Sequence, residues 1–297
     1  MAKNLAAPAL VVASVLWGTT GTAATFMPPS VSPVAIGAVT MCFGGILLFF
    51  VGARGAVHAL RDPAARNWLI AGALGVFAYP LAFYSAMHLA GVAIGNIVAL
   101  GSGPAFAAVL EWAIERRRPS RRWVVCTVVA LGGIAALAAF GHGSSGTRAP
   151  ALLPGVLLGL LAGLAYAGYT YSSSRAMQVS HGGRAVMGSM FGLGAVLLAP
   201  VLIVTGAPLL QSGQSALVAG YLVVAPMFLA YLLFAVGLRS LASSSATTIT
   251  LVEPVVATIL AVIVVGERLT VVGWVGLALV LAGVAAMATA RLPGKAS

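Results

Sequence analysis

The chain has 297 residues, 61% of them hydrophobic and 7% charged, with a mean hydropathy of +1.06. Ordinary soluble domains are about half apolar and about a quarter charged, so a water-soluble globule is excluded and lipid must solvate most of the length. The net charge of +11 has no polar domain on which to form a nucleic-acid surface.

A membrane-crossing helix takes roughly 20 apolar residues. Ten such runs follow one another, near 5–27, 33–52, 67–87, 90–112, 121–140, 152–173, 183–205, 215–237, 241–264 and 270–291. In the first, Ser14, Trp17, Gly18 and Gly21 share one helix face, and Trp17 stands far from the interfaces where Trp is enriched. Lys3 and the small residues 21–24 imitate a secretory leader. Cleavage there would leave nine helices and turn the arginine-rich 116–122 turn outward, against the charge rule.

In the third run Tyr79 and Phe83 form an aromatic face, with a kink expected at Pro80. The fourth carries Asn96, Ser102 and a central Pro104, with Glu111 one turn before the arginines and expected to snorkel or to pair with Arg116. Trp68, Trp123 and Trp274 open their runs and read as interfacial anchors. Gly155, Gly159 and Gly163 make a small-residue ridge in the sixth, which also carries Tyr166, Tyr169 and Thr170. The eighth places Phe228 and Tyr231 after Pro226. The ninth holds Thr247, Thr250, Glu253 and Pro254. A mid-membrane carboxylate is costly, so Glu253 is expected to face a cavity, as a proton-sensitive group or a contact for a substrate ammonium, or else to be protonated and hydrogen-bonded at the kink.

Every Lys and Arg except Arg148 and Arg268 falls in an even-numbered loop or at a terminus, which puts both termini in the cytoplasm and makes anionic headgroups the partners of the charge. The glycine- and serine-rich stretch 141–150 reads as a linker between two sets of five helices, 1–140 and 151–297. Five is odd, so the second set must enter the membrane inverted. Each set has an interrupted fourth helix, at Pro104 or Pro254, followed by similar Leu-Gly and Ala-Gly runs (131–136 and 281–286). Paired interruptions of this kind point to a secondary transporter whose site lies between the repeats. The fold class expected is all-α and polytopic, with Pro104 and Pro254 as hinges and Trp17, Tyr79, Phe83, Asn96, Ser102, Tyr166, Tyr169, Tyr231, Thr250 and Glu253 around a central cavity.

The second set reads Gly237-Leu238, Glu253-Pro254-Val255, Gly266-Glu267-Arg268-Leu269-Thr270 and a closing helix with Gly276, Leu279 and Gly283. In these motifs the chain resembles the drug/metabolite transporter superfamily with paired EamA-type repeats. In the first set Glu115-Arg116 leads instead into Arg117-Arg118-Pro119-Ser120. Over its whole length the chain looks most like the YddG-type aromatic amino-acid exporters. That resemblance implies export of amino acids, chiefly aromatic and large apolar ones, across a bacterial inner membrane by alternating access. The alternative is a proton-coupled exporter of drugs or cationic metabolites, for which aromatic faces would supply cation–π contacts.

Other chemistry finds little support. There is no Gly-x-x-x-x-Gly-Lys for ATP. The first run has no acidic residue, where the small multidrug relatives in the superfamily that the chain resembles keep a proton-binding Glu; that resemblance therefore implies uniport in preference to proton exchange. Gly143-Ser144-Ser145-Gly146 imitates an intramembrane protease motif, but its serines lie in the outer linker and His181 on the inner side, out of reach of a base. His58, His88, His142 and His181 have no metal-ligand company, and Cys42 and Cys126 sit in apolar runs. No enzyme activity, cofactor, metal or nucleic-acid partner is expected. The expected partners are a small-molecule substrate and the bilayer, with the chain a monomer or weak homodimer.

Overall fold

A computed structural model describes residues 2–90, 92–140, 151–179, 181–266 and 270–288; the linker 141–150 and the 267–269 turn lie outside them. Among the described residues every regular element is helical. The helices are α1 (Ala2–Ala24), α2 (Pro33–Arg61), α3 (Pro63–Ala90), α4 (Val92–Glu115), α5 (Arg121–Phe140), α6 (Leu152–Gln178), α7 (Gly183–Thr205), α8 (Gly213–Leu222), α9 (Ala230–Leu238), α10 (Ser243–Ile249), α11 (Val252–Leu260) and α12 (Val271–Ala288). A π-helical segment, Val223–Leu229, joins α8 to α9 through Pro226. Among the described residues seven segments are long and apolar enough to cross a bilayer, and Val271–Met287 is a shorter apolar helix. The protein is a polytopic helical membrane protein.

Local chemistry sets several helix starts. Ser32 accepts a bond from Ala35 N at 3.1 Å, with Pro33 in the first turn of α2. Asp62 does the same for Ala64 N at 2.9 Å before α3, and Ser212 for Ser215 N at 3.1 Å before α8. α10 is different. The residue before it is Ala242, whose side chain caps nothing.

The two prolines singled out as breaks behave unlike one another. α4 runs through Pro104 without interruption, which corrects the expectation of a helix break there. The ninth segment does break, at Thr250 and Leu251, between α10 and α11. The difference lies in the neighbouring side chains. Thr247, Thr248 and Thr250 each bond a carbonyl three or four residues back, a habit that bends helices, and Pro254 cannot donate the bond that would have continued the ladder. α4 has one such back-bond beside its missing proline donor, the longer one from Ser102 Oγ to the Ala99 carbonyl at 3.4 Å.

The most extensive pairings are α2 with α7, α3 with α6 and α5 with α12. The glycine ridge of α6 is used as the sequence suggests: a Cβ at Gly155 would meet Ala90, one at Gly159 would meet Val98, and one at Gly163 would meet Ser102. α4 crosses the ninth segment on its α10 half. α5 and α12 pack on each other and leave apolar faces exposed, Val125 and Val128 on one and Val271 and Trp274 on the other. Trp123 is not an interfacial anchor; it is only 9% exposed and belongs to the core, held there by the packing of α5.

Candidate functional site

A cavity of about 300 Å³ lies between α1, α2, α3, α4, α6, the π-helical segment, α9 and α11. It brings together Trp17, Tyr79, Phe83, Asn96, Tyr166, Tyr169, Tyr231, Glu253 and Pro254, residues the sequence had placed on separate helices. Three of the expected residues stay outside. Ser102 turns to the Ala99 carbonyl at 3.4 Å, beneath Gly163. Thr250 is buried and shares a 2.7 Å bond with Tyr166 OH. Pro104 is buried in the packed part of α4 and does not line the cavity.

The wall is aromatic and internally bonded. Tyr79 stacks on Phe83 with centroids 5.3 Å apart and planes at 17°. Trp17 leans on Tyr231 at 5.0 Å and on Phe234 at 5.3 Å. The Tyr169 and Tyr231 hydroxyls lie 3.0 Å apart, and Phe191, fully buried, sits 4.3 Å from the Tyr231 ring. Hydroxyls that bond one another satisfy themselves in a dry interior and hold the rings in place. Pro226 and the π-helical turn put Met227 on the wall, while Phe228 does not line it.

Among the described residues, Glu253 is the one acidic or basic side chain on the wall. It stands in the first turn of α11, where its backbone N donates to the Thr250 carbonyl at 2.9 Å. Among the described residues its carboxyl has no hydrogen-bond or ion-pair partner, and no Lys, Arg or His lines the cavity. A half-buried carboxyl of this kind, ringed by tyrosines, presents one acidic group and many π faces. Nor do the described residues contain any cluster of three or more potential metal ligands.

The sequence reading missed Tyr84, Met87, Thr20, Thr40, Met41 and Met227 on the wall. Tyr84 carried a usable signal, since it extends the Tyr79–Phe83 pair; its ring packs edge-on to Phe83 at 5.5 Å. The methionines and threonines gave none, because those residue types are ordinary in packed helices.

Charged contacts join residues before and after the linker where α2, α4 and α6 end and α7 begins. His181 Nε2 lies 2.7 Å from an Asp62 carboxylate oxygen. This bond, followed by the one from Ala64 N, holds the Asp62 carboxyl below its usual range. Arg175 approaches Glu115 at 3.4 Å, Tyr171 OH donates to Glu115 at 3.1 Å, and the Arg175 guanidinium lies 5.6 Å over the Trp68 ring. Glu111 neither snorkels nor pairs with Arg116. It is 7% exposed and accepts from Ser244 N at 2.9 Å and from Ser244 Oγ at 2.7 Å.

The EamA-like transporter family matches this chain twice, over residues 4–139 and 153–289. The chain belongs to that family. The transporter YwfM of Bacillus subtilis is 33% identical over 98% of this chain and 96% of its own. The inner membrane transporter YicL of Salmonella typhimurium is 24% identical over 93% of this chain and 92% of its own. A solved crystal structure superposes with a TM-score of 0.78 at 23% identity, covering 95% of each chain, a likeness of fold alone. Family membership makes the protein a membrane transporter, and the cavity is the feature in which a small molecule would sit.

Proposed function

We propose that this EamA-like protein is a secondary transporter that exports amino acids with aromatic or large apolar side chains across a bacterial inner membrane. The observation that carries the reading is the aromatic cavity with a single unpaired carboxylate. An ammonium group would face Glu253 and the surrounding π clouds, an apolar body would lie against Trp17, Tyr79 and Phe83, and Asn96 and Thr40 offer neutral partners to a carboxylate.

Ten membrane crossings in two inverted five-helix repeats, 1–140 and 151–297, form the architecture of this proposal. The double family match supports it. So does the packing, in which α2 meets α7 and α5 meets α12, each being the counterpart of the other under such a two-fold relation. With both termini cytoplasmic, the charged end faces the cytoplasm, and alternating access would open the cavity to each side in turn.

A second reading takes its support from Glu253. With no cation on the wall, a bound zwitterion would leave its carboxylate without a countercharge, whereas a simple amine would not. Counterflow in liposomes separates the readings: labelled phenylalanine should exchange saturably, and phenethylamine should compete less well than phenylalanine. Tighter competition by the amine would favour a cation exporter. No saturable exchange of any amino acid would remove the first reading.

A further inference from the structure

α10 has seven residues, begins without a cap of its own and ends at the Thr250–Leu251 break. Three side chains from other helices hold it. Glu111 of α4 takes the Ser244 N–H and hydroxyl at the start. Thr127 of α5 bonds Thr248 at 3.1 Å, and Tyr166 of α6, on the cavity wall, bonds Thr250 at the end. Beyond the break, α11 carries Glu253, Pro254 and Ala257 on the same wall. α10 is thus a short rod that ends at a break in the helix, and Tyr166, which bonds Thr250 at that break, lines the cavity.

We infer that Glu111 is a positioning residue that latches α10, and that release of this latch lets α10 swing on the Thr250–Leu251 joint and open the cavity towards the Asp62–His181 end. The carboxylate supplies what the sequence Leu241-Ala242-Ser243 withholds, an acceptor for the first free N–H groups of the helix. Because the acceptor sits on α4, it ties the two sides of the linker together instead of capping within one segment. Charge-assisted bonds are about twice as strong as neutral ones, which makes this the strongest single tie on α10. The charged contacts Asp62–His181 and Glu115–Arg175 lie at the same end. At the other end the bonds across the linker are neutral and exposed, Thr19 with Tyr221 at 2.7 Å and Gln214 with the Phe26 carbonyl at 2.8 Å. The ties across the linker are therefore charged at the α10 end and neutral and exposed at the other.

The inference rests on the cavity being a transport site, but its test needs no substrate. In full-length protein with Cys42 and Cys126 replaced by Ala, a thiol is introduced at buried Ser245 on α10, or at Gly21, which lines the cavity with open space at its Cβ. Modification by a hydrophilic maleimide is timed in each. Glu111→Ala should speed modification of Ser245→Cys by about tenfold, the lower bound for losing hydrogen bonds to a charged group. It should also slow modification of Gly21→Cys as the opposite end closes. Glu111→Gln, which keeps one acceptor, should fall between, and Ser244→Ala should shift both rates in the same directions by less. Unchanged rates in a folded Glu111→Ala protein would reduce Glu111 to a structural cap and overturn the latch. Faster modification at both positions would mean local unfolding and would overturn it equally. Absence of phenylalanine exchange by the unaltered protein, with the expected rate changes in the variants, would count against the substrate reading and leave the latch standing.

Discussion

At the level of single residues, the wall of the cavity is largely legible because aromatic side chains repeat at helical spacing. Tyr79 with Phe83, and Tyr166 with Tyr169, fall on helix faces by their spacing alone, and those faces converge. What spacing does not carry is the direction of a hydroxyl. Thr250 looks like a wall residue in the sequence, but its Oγ is taken by Tyr166 and by the Thr247 carbonyl. Tyr166→Phe tests that bond. Thr250 keeps its carbonyl partner, so the loss should be about 1 kcal/mol of stability, read as a lower melting temperature in detergent, with the aromatic wall retained. Asp62 gives a second test. Its carboxyl is held below the usual range by His181, so the pair's contribution is present above the ordinary Asp pKa and is lost as pH falls through the depressed one. The melting difference between the protein and its Asp62→Asn variant should be constant around neutrality and shrink to nothing in acid. A difference that grows in acid would refute the assignment.

At the level of elements, helix existence followed from apolar length, and helix continuity did not. Pro104 and Pro254 have the same local meaning in a sequence, a missing donor and a steric push, but only the ninth segment breaks. The deciding residues are three threonines that back-bond before Pro254, a feature visible in the sequence but without direction until the side chains are placed. Glu111 escaped the sequence reading for a related reason. Its partner is 133 positions away, and nothing within α4 announces it. The α6 ridge is more predictable. Gly159→Leu would drive a side chain into Val98, whereas Gly168→Leu would enter open space. Overpacking costs about 1–3 kcal/mol, so the first should lower the melting temperature and the second should leave it nearly unchanged. Equal effects would show that α6 does not depend on close approach to α4.

At the level of the whole molecule, the open question is how transport is driven, and Glu253 decides it. The cavity holds a single carboxylate, and α1 contributes Trp17, Gly18, Thr20 and Gly21 to its wall but no acid. A stoichiometric proton exchanger needs a group that binds a proton and substrate alternately. Among the described residues Glu253 is the only carboxyl on the wall that could do so. A facilitator needs the side chain only for binding. The uniport reading predicts that Glu253→Gln folds and retains phenylalanine counterflow within a few-fold, because Gln keeps the shape and one acceptor. Its pH profile should be flatter, since the one titrating carboxyl on the wall is gone. The proton-coupled reading predicts a different split: equilibrium exchange would survive, while uphill uptake driven by an imposed pH jump would be lost. Both measurements can be made in the same vesicles. Wild-type protein should equilibrate labelled phenylalanine without concentrating it, with or without the pH jump. If wild-type vesicles concentrate the label on a proton gradient and Glu253→Gln vesicles do not, Glu253 is the coupling site and the uniport reading is wrong.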